Sequence, residues 1–362
     1  MKKLLSLLLT ICLCLSFSFV ACDESDNTPP QNEPPKNVIL VIGDGMGDNH
    51  IRNAVTYYDL SKPAFYNDKK CVIGTNSLDG TTDSAAGGTA LATGNKVHNS
   101  NLAMLNGDNL EQITTIAKSY GMKTGVITTD VLSGATPSAF SAHSTSRDNT
   151  STIMQTQAVS GVDLLIGRAS SDYTNNKSLY TSNGYTFASN KEELLSNKSA
   201  NKLVGAISNI DSEYISGNET DYQLKDMAKF AVEYLENETG FFLMIEGAYI
   251  DKHSHNNDID KTMAETRSLI DTISYLYNYA NDGKTAIFIT ADHETGGLQR
   301  TSNKDDITSW LFTSVNHTPV DVPLFIKNYS FDITKFGYQA TDRPENTVVF
   351  SACKDIIQTR FS

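Results

Sequence analysis

Positive charge is scarce in this 362-residue sequence, and the shortage excludes two classes of partner. Lysine and arginine number 29 against 42 aspartate and glutamate residues, which leaves a formal net charge of −13. Without residues 1–21, whose only charged side chains are Lys2 and Lys3, the net charge is about −15. Because like charges repel, nucleic acid and an anionic membrane surface are unsuitable partners for the body of the protein. An anionic substrate would need cations fixed at its binding site.

Cysteine is scarce as well. Three of the five cysteines lie at positions 12, 14 and 22, which leaves Cys71 and Cys353 in the body of the chain. Export would permit a disulfide between these two residues, and two separate buried thiols are the alternative. Nothing in the sequence brings the two positions together, so both possibilities stay open.

Long apolar runs are absent except at the N-terminus, where residues 1–21 read MKKLLSLLLTICLCLSFSFVA. A basic start, an apolar stretch and a small residue before Cys22 are typical of a secretory signal peptide of the lipoprotein type. We expect Cys22 to carry the lipid, with ordinary signal cleavage as the alternative. Residues 22–36 are acidic and proline-rich, which predicts a flexible tether. The expected location is periplasmic or at the cell surface, with an outer-membrane anchor at Cys22.

Internal repeats are absent, and a content of 39% hydrophobic and 20% charged residues is typical of a globular protein. In residues 37–362, apolar runs alternate with amphipathic helical patterns such as DNLEQITTIAKSYG. Strands that are apolar on both faces and joined by helices predict an α/β fold, a three-layer αβα sandwich with a central, mostly parallel sheet. Residues 168–222 have weaker periodicity, so we expect an elaborated surface region there. The predicted strands are NVILVIG, KTGVITTD, VDLLIG, GFFLMI, TAIFITA and VPLFI.

Carboxylate, hydroxyl and imidazole side chains follow the predicted strands. The carboxyl ends of parallel strands form one rim, so residues far apart in sequence are expected to share one cleft. A rim crowded with carboxylates would repel itself unless cations were bound among them. Mixed imidazole and carboxylate groups suit zinc, whereas carboxylates with a threonine hydroxyl suit magnesium. The residues concerned are Asp44, Thr136, Glu246, Asp251, His255, Asp292, His293 and His317.

Each short motif has an ordinary structural alternative. The GDG after the first strand is typical of a plain turn, and Asp251 and His255 on one helical turn could be solvated cap residues. The run SAAGGTALATG predicts a helix that begins at Ser84 after a capping or orienting Asp83, and its small residues could serve only close packing. The conjunction of these motifs at successive strand ends is what favours a functional site.

Six motifs together resemble the alkaline phosphatase family, in the same order and at compatible spacing, from about residue 37 to residue 325. They are GDGMGD, TTDSAAGGTA, ATPSAFSAHSTSR, EGAYIDKHSH, TADHETGG and the HT of VNHTP. By this resemblance Ser84 is the nucleophile, which is transiently phosphorylated, and Arg147 binds the phosphate.

The resemblance also implies three metal ions, two of zinc and one of magnesium. The first zinc ion would be held by Asp251, His255 and His317. The second zinc ion would be held by Asp44, Asp292 and His293. The magnesium ion would be held by Asp44, Thr136 and Glu246. Where some members carry an aspartate or histidine two residues before that threonine, this chain has Gly134, so fewer polar groups surround the third ion.

The activity implied by the resemblance is that of an enzyme, a phosphate monoester hydrolase acting on small-molecule phosphomonoesters. A serine hydroxyl in contact with zinc would be activated as the nucleophile. A phosphodiesterase or phosphonate hydrolase with a similar two-zinc site is one alternative. A non-catalytic surface lipoprotein that binds metal or phosphate is another, and the oligomeric state stays open.

Overall fold

The structure is a computed structural model that describes residues 33–218 and 221–362. The predicted signal peptide, Cys22 and residues 22–32 of the predicted tether lie outside the described residues. The strands are β1 Asn37–Gly43, β2 Lys69–Ile73, β3 Met104–Leu105, β4 Asp108–Asn109, β5 Lys123–Val131, β6 Leu164–Arg168, β7 Thr186–Ala188, β8 Leu203–Ile207, β9 Phe241–Gly247, β10 Thr285–Thr290, β11 Glu294–Thr295, β12 His317–Thr318 and β13 Val322–Lys327. The α-helices are α1 Asp48–Tyr57, α2 Ser84–Thr93, α3 Ile113–Ser119, α4 Ala135–Ala139, α5 Thr150–Ala158, α6 Ser171–Asn175, α7 Lys177–Thr181, α8 Lys191–Ser196, α9 Glu213–Ser216, α10 Leu224–Leu235, α11 Tyr249–Ser254, α12 Ile259–Tyr279 and α13 Thr347–Arg360.

A nine-stranded central sheet runs in the order β2-β13-β10-β1-β9-β5-β6-β8-β7 within the described residues. β13 is antiparallel to both of its neighbours, and the other pairs are parallel. Every residue of β1, β9 and β10 is buried, because these runs carry apolar side chains on both faces. The sheet confirms the predicted mostly parallel arrangement.

Two groups of helices cover the sheet. One group is formed by α1, α9, α10, α11 and α12, among which α10 and α12 contact the central strands. The other is formed by α2, α3, α4 and α13, among which α3, α4 and α13 contact central strands. This arrangement confirms the three-layer αβα sandwich. Among the described residues, no helix has both the length and the apolar character needed to cross a lipid bilayer.

Three predicted segments differ from the structure in detail. The helical pattern DNLEQITTIAKSYG gives a shorter helix, because its first two residues form β4, which pairs with β3, and α3 begins only at Ile113. Residues 168–222, expected as an elaborated surface region, supply β7 and β8, which extend the central sheet at one edge. At the end of the predicted tether, Lys36 forms an ion pair with Glu236 at 2.7 Å.

Cys71 and Cys353 are both free thiols.

Candidate active site

The polar residues predicted at strand ends lie at the carboxyl edge of the central sheet. Asp44 follows β1, Glu246 is near the end of β9, and Asp292 and His293 follow β10. The backbone N–H of Asp44 donates to Gly247 O at 3.1 Å. Parallel pairing of β1 with both β9 and β10 therefore brings their carboxyl ends together.

Ser84 is the first residue of α2 and is buried. Asp83 caps this helix, because its Oδ1 accepts a hydrogen bond from Ala86 N at 2.9 Å. A Cβ on Gly87 would lie 2.8 Å from Asp292 O, so the small residue allows α2 to approach the turn after β10. The predicted helix start at Ser84 and its cap are confirmed. The free amides and the dipole at this end favour a bound anion.

One group of metal-ligating side chains adjoins the Ser84 hydroxyl. It consists of Asp44, Asp292 and His293, which are all buried. His293 Nε2 lies 3.5 Å from Asp44 Oδ1 and 3.4 Å from Asp292 Oδ2. The same nitrogen lies 3.2 Å from Ser84 Oγ. A cation bound by this group would therefore be next to the serine oxygen.

A second group is formed by Asp251, His255 and His317. Asp251 Oδ1 lies 3.3 Å from His255 Nε2 and 3.5 Å from His317 Nε2, and the two nitrogens are 3.0 Å apart. His255 Nδ1 is 2.6 Å from Val315 O, and His317 Nδ1 is 2.8 Å from Thr82 O. When both Nδ1–H groups donate to these carbonyls, both Nε2 lone pairs face the same space. Two lone pairs at this distance repel each other, and a cation bound between the two nitrogens would remove the repulsion.

Buried oxygens without partners mark the same region. Of seven buried side-chain atoms without a hydrogen-bond partner in the described residues, three are Asp44 Oδ1, Asp292 Oδ2 and Thr136 Oγ1. Burial, followed by the charge of Asp292, raises the pKa of Asp44 well above its usual value. Burial and the charge of Asp251 raise the pKa of Asp292 to about 6. Crowded buried carboxylates are unfavourable by themselves, so the donor set fits bound cations.

The two remaining predicted ligands lie on α4 and β9, which contact each other. Thr136 is fully buried in α4, and Glu246 Oε2 accepts a hydrogen bond from Thr128 Oγ1. Burial and the charge of Asp130 raise the pKa of Glu246 to about 8. The charge of Glu246 in turn contributes to the raised pKa of Asp44. An oxygen-rich region thus adjoins the first group.

Arg147 comes from the loop before α5 and is held by Asp83. Its Nη1 donates to Asp83 Oδ2 at 3.2 Å, and its backbone N–H donates to Ser100 O at 2.8 Å. The Arg147 charge lowers the pKa of Asp44, against the larger effect of burial, so the guanidinium lies within electrostatic reach of the ligand groups. A guanidinium is a planar fork that matches two oxygens of an anion.

Several groups that orient the predicted residues were not identified from the sequence. Thr295 Oγ1 donates to Asp251 Oδ1 and lies 3.2 Å from His293 Nδ1. Thr295 lies two residues after His293 in the motif TADHETGG, and this position is the only feature of the sequence that could have indicated its role. The carbonyls of Thr82 and Val315, which orient the other two histidines, belong to the backbone and have no signature in the sequence.

Comparisons with known proteins agree with these motifs. The family model described as alkaline phosphatase matches residues 35–176 and 169–348. Alkaline phosphatase 4 of Bacillus subtilis (strain 168) is 33% identical over 287 residues, which are 73% of this chain and 62% of that protein. The alkaline phosphatase of Escherichia coli (strain K12) is 28% identical over 332 residues, 72% of this chain and 70% of that protein. The chain spans 62% and 64% of the lengths of the Bacillus subtilis alkaline phosphatases 4 and 3.

Solved structures share the fold. Alkaline phosphatase from the Antarctic bacterium TAB5 has a TM-score of 0.76 and 26% identity, covering 90% of this chain and 99% of that one. A variant of the same enzyme, solved with magnesium bound in its M3 site, has a TM-score of 0.75 and 25% identity with the same coverage. The similarity therefore extends over nearly the whole described part of the chain.

Proposed function

The chain belongs to the alkaline phosphatase family, and from this premise we propose that it hydrolyses phosphate monoesters through a phosphoserine formed at Ser84. One observation carries the proposal. Ser84 Oγ, at the start of a helix, lies 3.2 Å from His293 Nε2, where the ligand atoms of Asp44 and Asp292 converge. The relatives named alkaline phosphatase support phosphomonoesters as the substrate class.

Two zinc ions and one magnesium ion are part of this proposal. One zinc ion would be held by Asp44, Asp292 and His293. The other would be held by Asp251, His255 and His317. Magnesium would be held by Asp44, Thr136 and Glu246, whose donors are all oxygen. The unpartnered buried oxygens support this assignment, as does the magnesium in the M3 site of the TAB5 variant. Bound zinc supplies Lewis-acid stabilisation of charge on the attacking and leaving oxygens.

The residues of the chain itself have distinct parts in the reaction. Ser84 Oγ attacks phosphorus, and the bond to the alcohol oxygen breaks in line as the bond to Ser84 forms, so that the proton lost from the serine hydroxyl is balanced by the one gained by the leaving alcohol. Water then attacks the phosphoserine, which releases inorganic phosphate and restores the hydroxyl. The N-terminal amides of α2 favour the phosphate dianion at this place. Arg147, oriented by Asp83, holds two phosphate oxygens through both displacements.

Turnover of p-nitrophenyl phosphate by the purified, zinc-loaded protein tests the proposal. The wild type should hydrolyse this monoester faster than bis(p-nitrophenyl) phosphate, because Arg147 and the third-ion residues favour a terminal phosphate group. Ser84→Ala should lower kcat at least about a thousandfold, because it removes the nucleophile, while the zinc content stays that of the wild type. Undiminished turnover in Ser84→Ala, or preference for the diester, would contradict the proposal. Bound zinc without turnover in the wild type would indicate a metal-binding surface protein.

The location of the protein is a separate proposal that rests on residues 1–22. We propose export followed by lipid attachment at Cys22, because the basic start, apolar run and small residue before Cys22 are typical of lipoprotein signals. The wild type should label with radioactive palmitate and partition with membranes. Cys22→Ala should do neither. Labelling of Cys22→Ala at the wild-type level would refute lipid attachment at this residue.

A further inference from the structure

Gly134 leaves a space beside the residues assigned to the third ion, and another carboxylate fills it. Gly134 has φ −56° and ψ 157°, angles that any residue can adopt, so its backbone does not require glycine. A Cβ at this position would lie 2.7 Å from Asp130 Oδ2 and 3.0 Å from Val131 O. A side chain at position 134 would therefore require the Asp130 carboxylate to move from the place that it occupies.

Asp130 connects two sides of the candidate active site. It lies near the carboxyl end of β5, and its Oδ1 accepts a hydrogen bond from Lys252 Nζ. Its backbone N–H donates to Thr128 Oγ1 at 2.9 Å, and Thr128 Oγ1 donates in turn to Glu246 Oε2. Lys252 is next to Asp251 in the chain. Asp130 thus links Lys252 with the Thr128 hydroxyl, which orients the predicted ligand Glu246.

The Asp130 charge acts on the region assigned to the third ion. The Thr128 hydroxyl that accepts from Asp130 N–H donates to Glu246 Oε2, so a single hydroxyl connects Asp130 with Glu246. The Asp130 carboxylate also lies beside Gly134, two residues before Thr136, and a carboxylate in this position attracts a cation bound by Glu246 and Thr136. The Lys252 ammonium donates to Asp130 Oδ1 and so brings a positive charge to the same region. Lys252 therefore opposes the same cation.

We propose that Asp130 is a positioning residue for the third ion: its carboxylate holds Lys252 and supplies negative charge beside Glu246 and Thr136, which strengthens magnesium binding. The inference rests on the proposed function, because it takes the third ion as given. Gly134 has no polar side chain to offer the third ion, and Asp130, four residues earlier in the chain, provides that polar group instead.

Titration of Mg²⁺ into the zinc-loaded protein by calorimetry tests this role. Asp130→Asn keeps the shape and removes the charge, so magnesium should bind about tenfold or more weakly. Lys252→Met removes the opposing charge, so magnesium should bind more tightly than in the wild type. An ion pair with only a structural role would shift the affinity in the same direction in both variants.

A matched ion pair elsewhere in the fold provides the control. Lys118 Nζ lies 2.7 Å from Asp163 Oδ1, and the side-chain exposures of 36% and 10% are comparable with 40% for Lys252 and 17% for Asp130. Asp163 precedes β6 at the opposite, amino edge of the sheet. Lys118→Met should therefore leave the magnesium affinity unchanged. Thermal unfolding and zinc content establish that each variant is folded.

An exchange of the two positions provides a second measurement. Gly134→Asp alone should weaken magnesium binding, because the new Cβ displaces Asp130. Asp130→Gly alone should also weaken magnesium binding. The double variant Asp130→Gly/Gly134→Asp should bind magnesium more tightly than Asp130→Gly, since the second substitution returns a carboxylate to the space that Asp130 vacated. A double variant that recovers no affinity would count against the inference.

The outcomes separate the inference from the proposed function. Equal magnesium affinity in Asp130→Asn and the wild type would overturn the inference alone, as would weaker binding in both Asp130→Asn and Lys252→Met. A wild type that hydrolyses monoesters with bound zinc but binds no magnesium would overturn the third-ion assignment, and the inference with it. Absence of both zinc and turnover would overturn the proposed function.

Discussion

The Asp83 carboxylate makes hydrogen bonds to two parts of the candidate active site, the start of α2 and Arg147. Its Oδ1 accepts from Ala86 N and caps α2, while its Oδ2 accepts from Arg147 Nη1 and from Ser100 N at 3.0 Å. The residue next to Ser84 therefore orients the guanidinium as well. The helix start and the guanidinium proposed to bind phosphate are thus held relative to Ser84 by short contacts, which is the condition for an oriented displacement.

Replacement of Arg147 tests its part in phosphate binding. Arg147→Ala should lower kcat/KM for p-nitrophenyl phosphate about a hundredfold, because two charge-assisted hydrogen bonds to phosphate are lost. Zinc content should not change, since Arg147 is not among the metal-ligating groups. Arg147→Lys, which keeps the charge but not the planar fork, should recover only part of the loss. Wild-type kcat/KM in Arg147→Ala would exclude this role.

Residue types at strand ends made much of the candidate site predictable from the sequence. Asp44 and Asp292 could be named because each follows a strongly apolar run that ends in a turn. The relation between Asp130 and Gly134 could not be predicted, because Asp130 lies in β5 and Gly134 in the loop before α4, and only their approach in space joins them. The orientation of His317 depends on a backbone carbonyl, which every residue carries.

The helix α2 shows why small residues are needed beside Ser84. Ala-for-Gly replacement within a helix normally stabilises it by about 1 kcal/mol. Gly87→Ala should instead destabilise the zinc-loaded protein by about 1–3 kcal/mol, because its Cβ would lie 2.8 Å from Asp292 O, a backbone atom that cannot move away easily. Zinc affinity should fall as well.

Gly88→Ala is the matched control for this prediction. Its Cβ would lie 3.3 Å from Ala139 Cβ, which is a milder contact than that of Gly87. Thermal unfolding and zinc affinity of the two variants should therefore differ, with the smaller loss in Gly88→Ala. Equal stability of the two would show that close approach of α2 to the turn after β10 is not what requires Gly87.

The helix α12 contains a buried acid whose titration should appear in the stability of the whole fold. Glu265 is 6% exposed, and burial followed by the charge of Asp211 raises its pKa to about 8, while Arg168 opposes this shift. The folded-state pKa lies above the usual 4.5, so the native state retains a proton that the unfolded chain loses. The contribution of Glu265 to stability is therefore full below about pH 4.5 and is lost as the pH rises from there through about 8.

Glu265→Gln removes this titration and should change the pH dependence. The variant should be more stable than the wild type by up to about 5 kcal/mol at pH 9, and by less than about 1 kcal/mol at pH 5. Unfolding of both zinc-loaded proteins at pH 5, 7 and 9 measures the difference. A difference that does not vary with pH would show that Glu265 is ionised in the folded protein throughout.

Whole elements were predictable where their apolar pattern was long. β1, β9 and β10 are continuous buried runs, and α12 repeats apolar residues over 21 positions. β8 was not predicted, because LVGAI follows a polar stretch in the region of weaker periodicity. β3 and β4 have two residues each, which is too short for any periodicity. Their existence depends on contacts that only the folded chain provides.

At the scale of the whole molecule, the parallel sheet is what brings the candidate site together. Predicted ligands from Asp44 to His317 span most of the chain, yet they lie near one edge of the sheet because parallel strands end on the same side. The net charge of −13 would repel a phosphate ester. Bound zinc together with Arg147 would reverse this field locally, so metal binding is the condition on which the proposed activity depends.

Zinc-edge anomalous diffraction from crystals of the zinc-loaded protein tests this condition most directly. We predict two peaks about 4 Å apart beside Ser84 Oγ. One peak should lie among Asp44, Asp292 and His293, and the other between His255 and His317. Crystals grown with excess zinc that show no peak within reach of Ser84 Oγ would contradict the account.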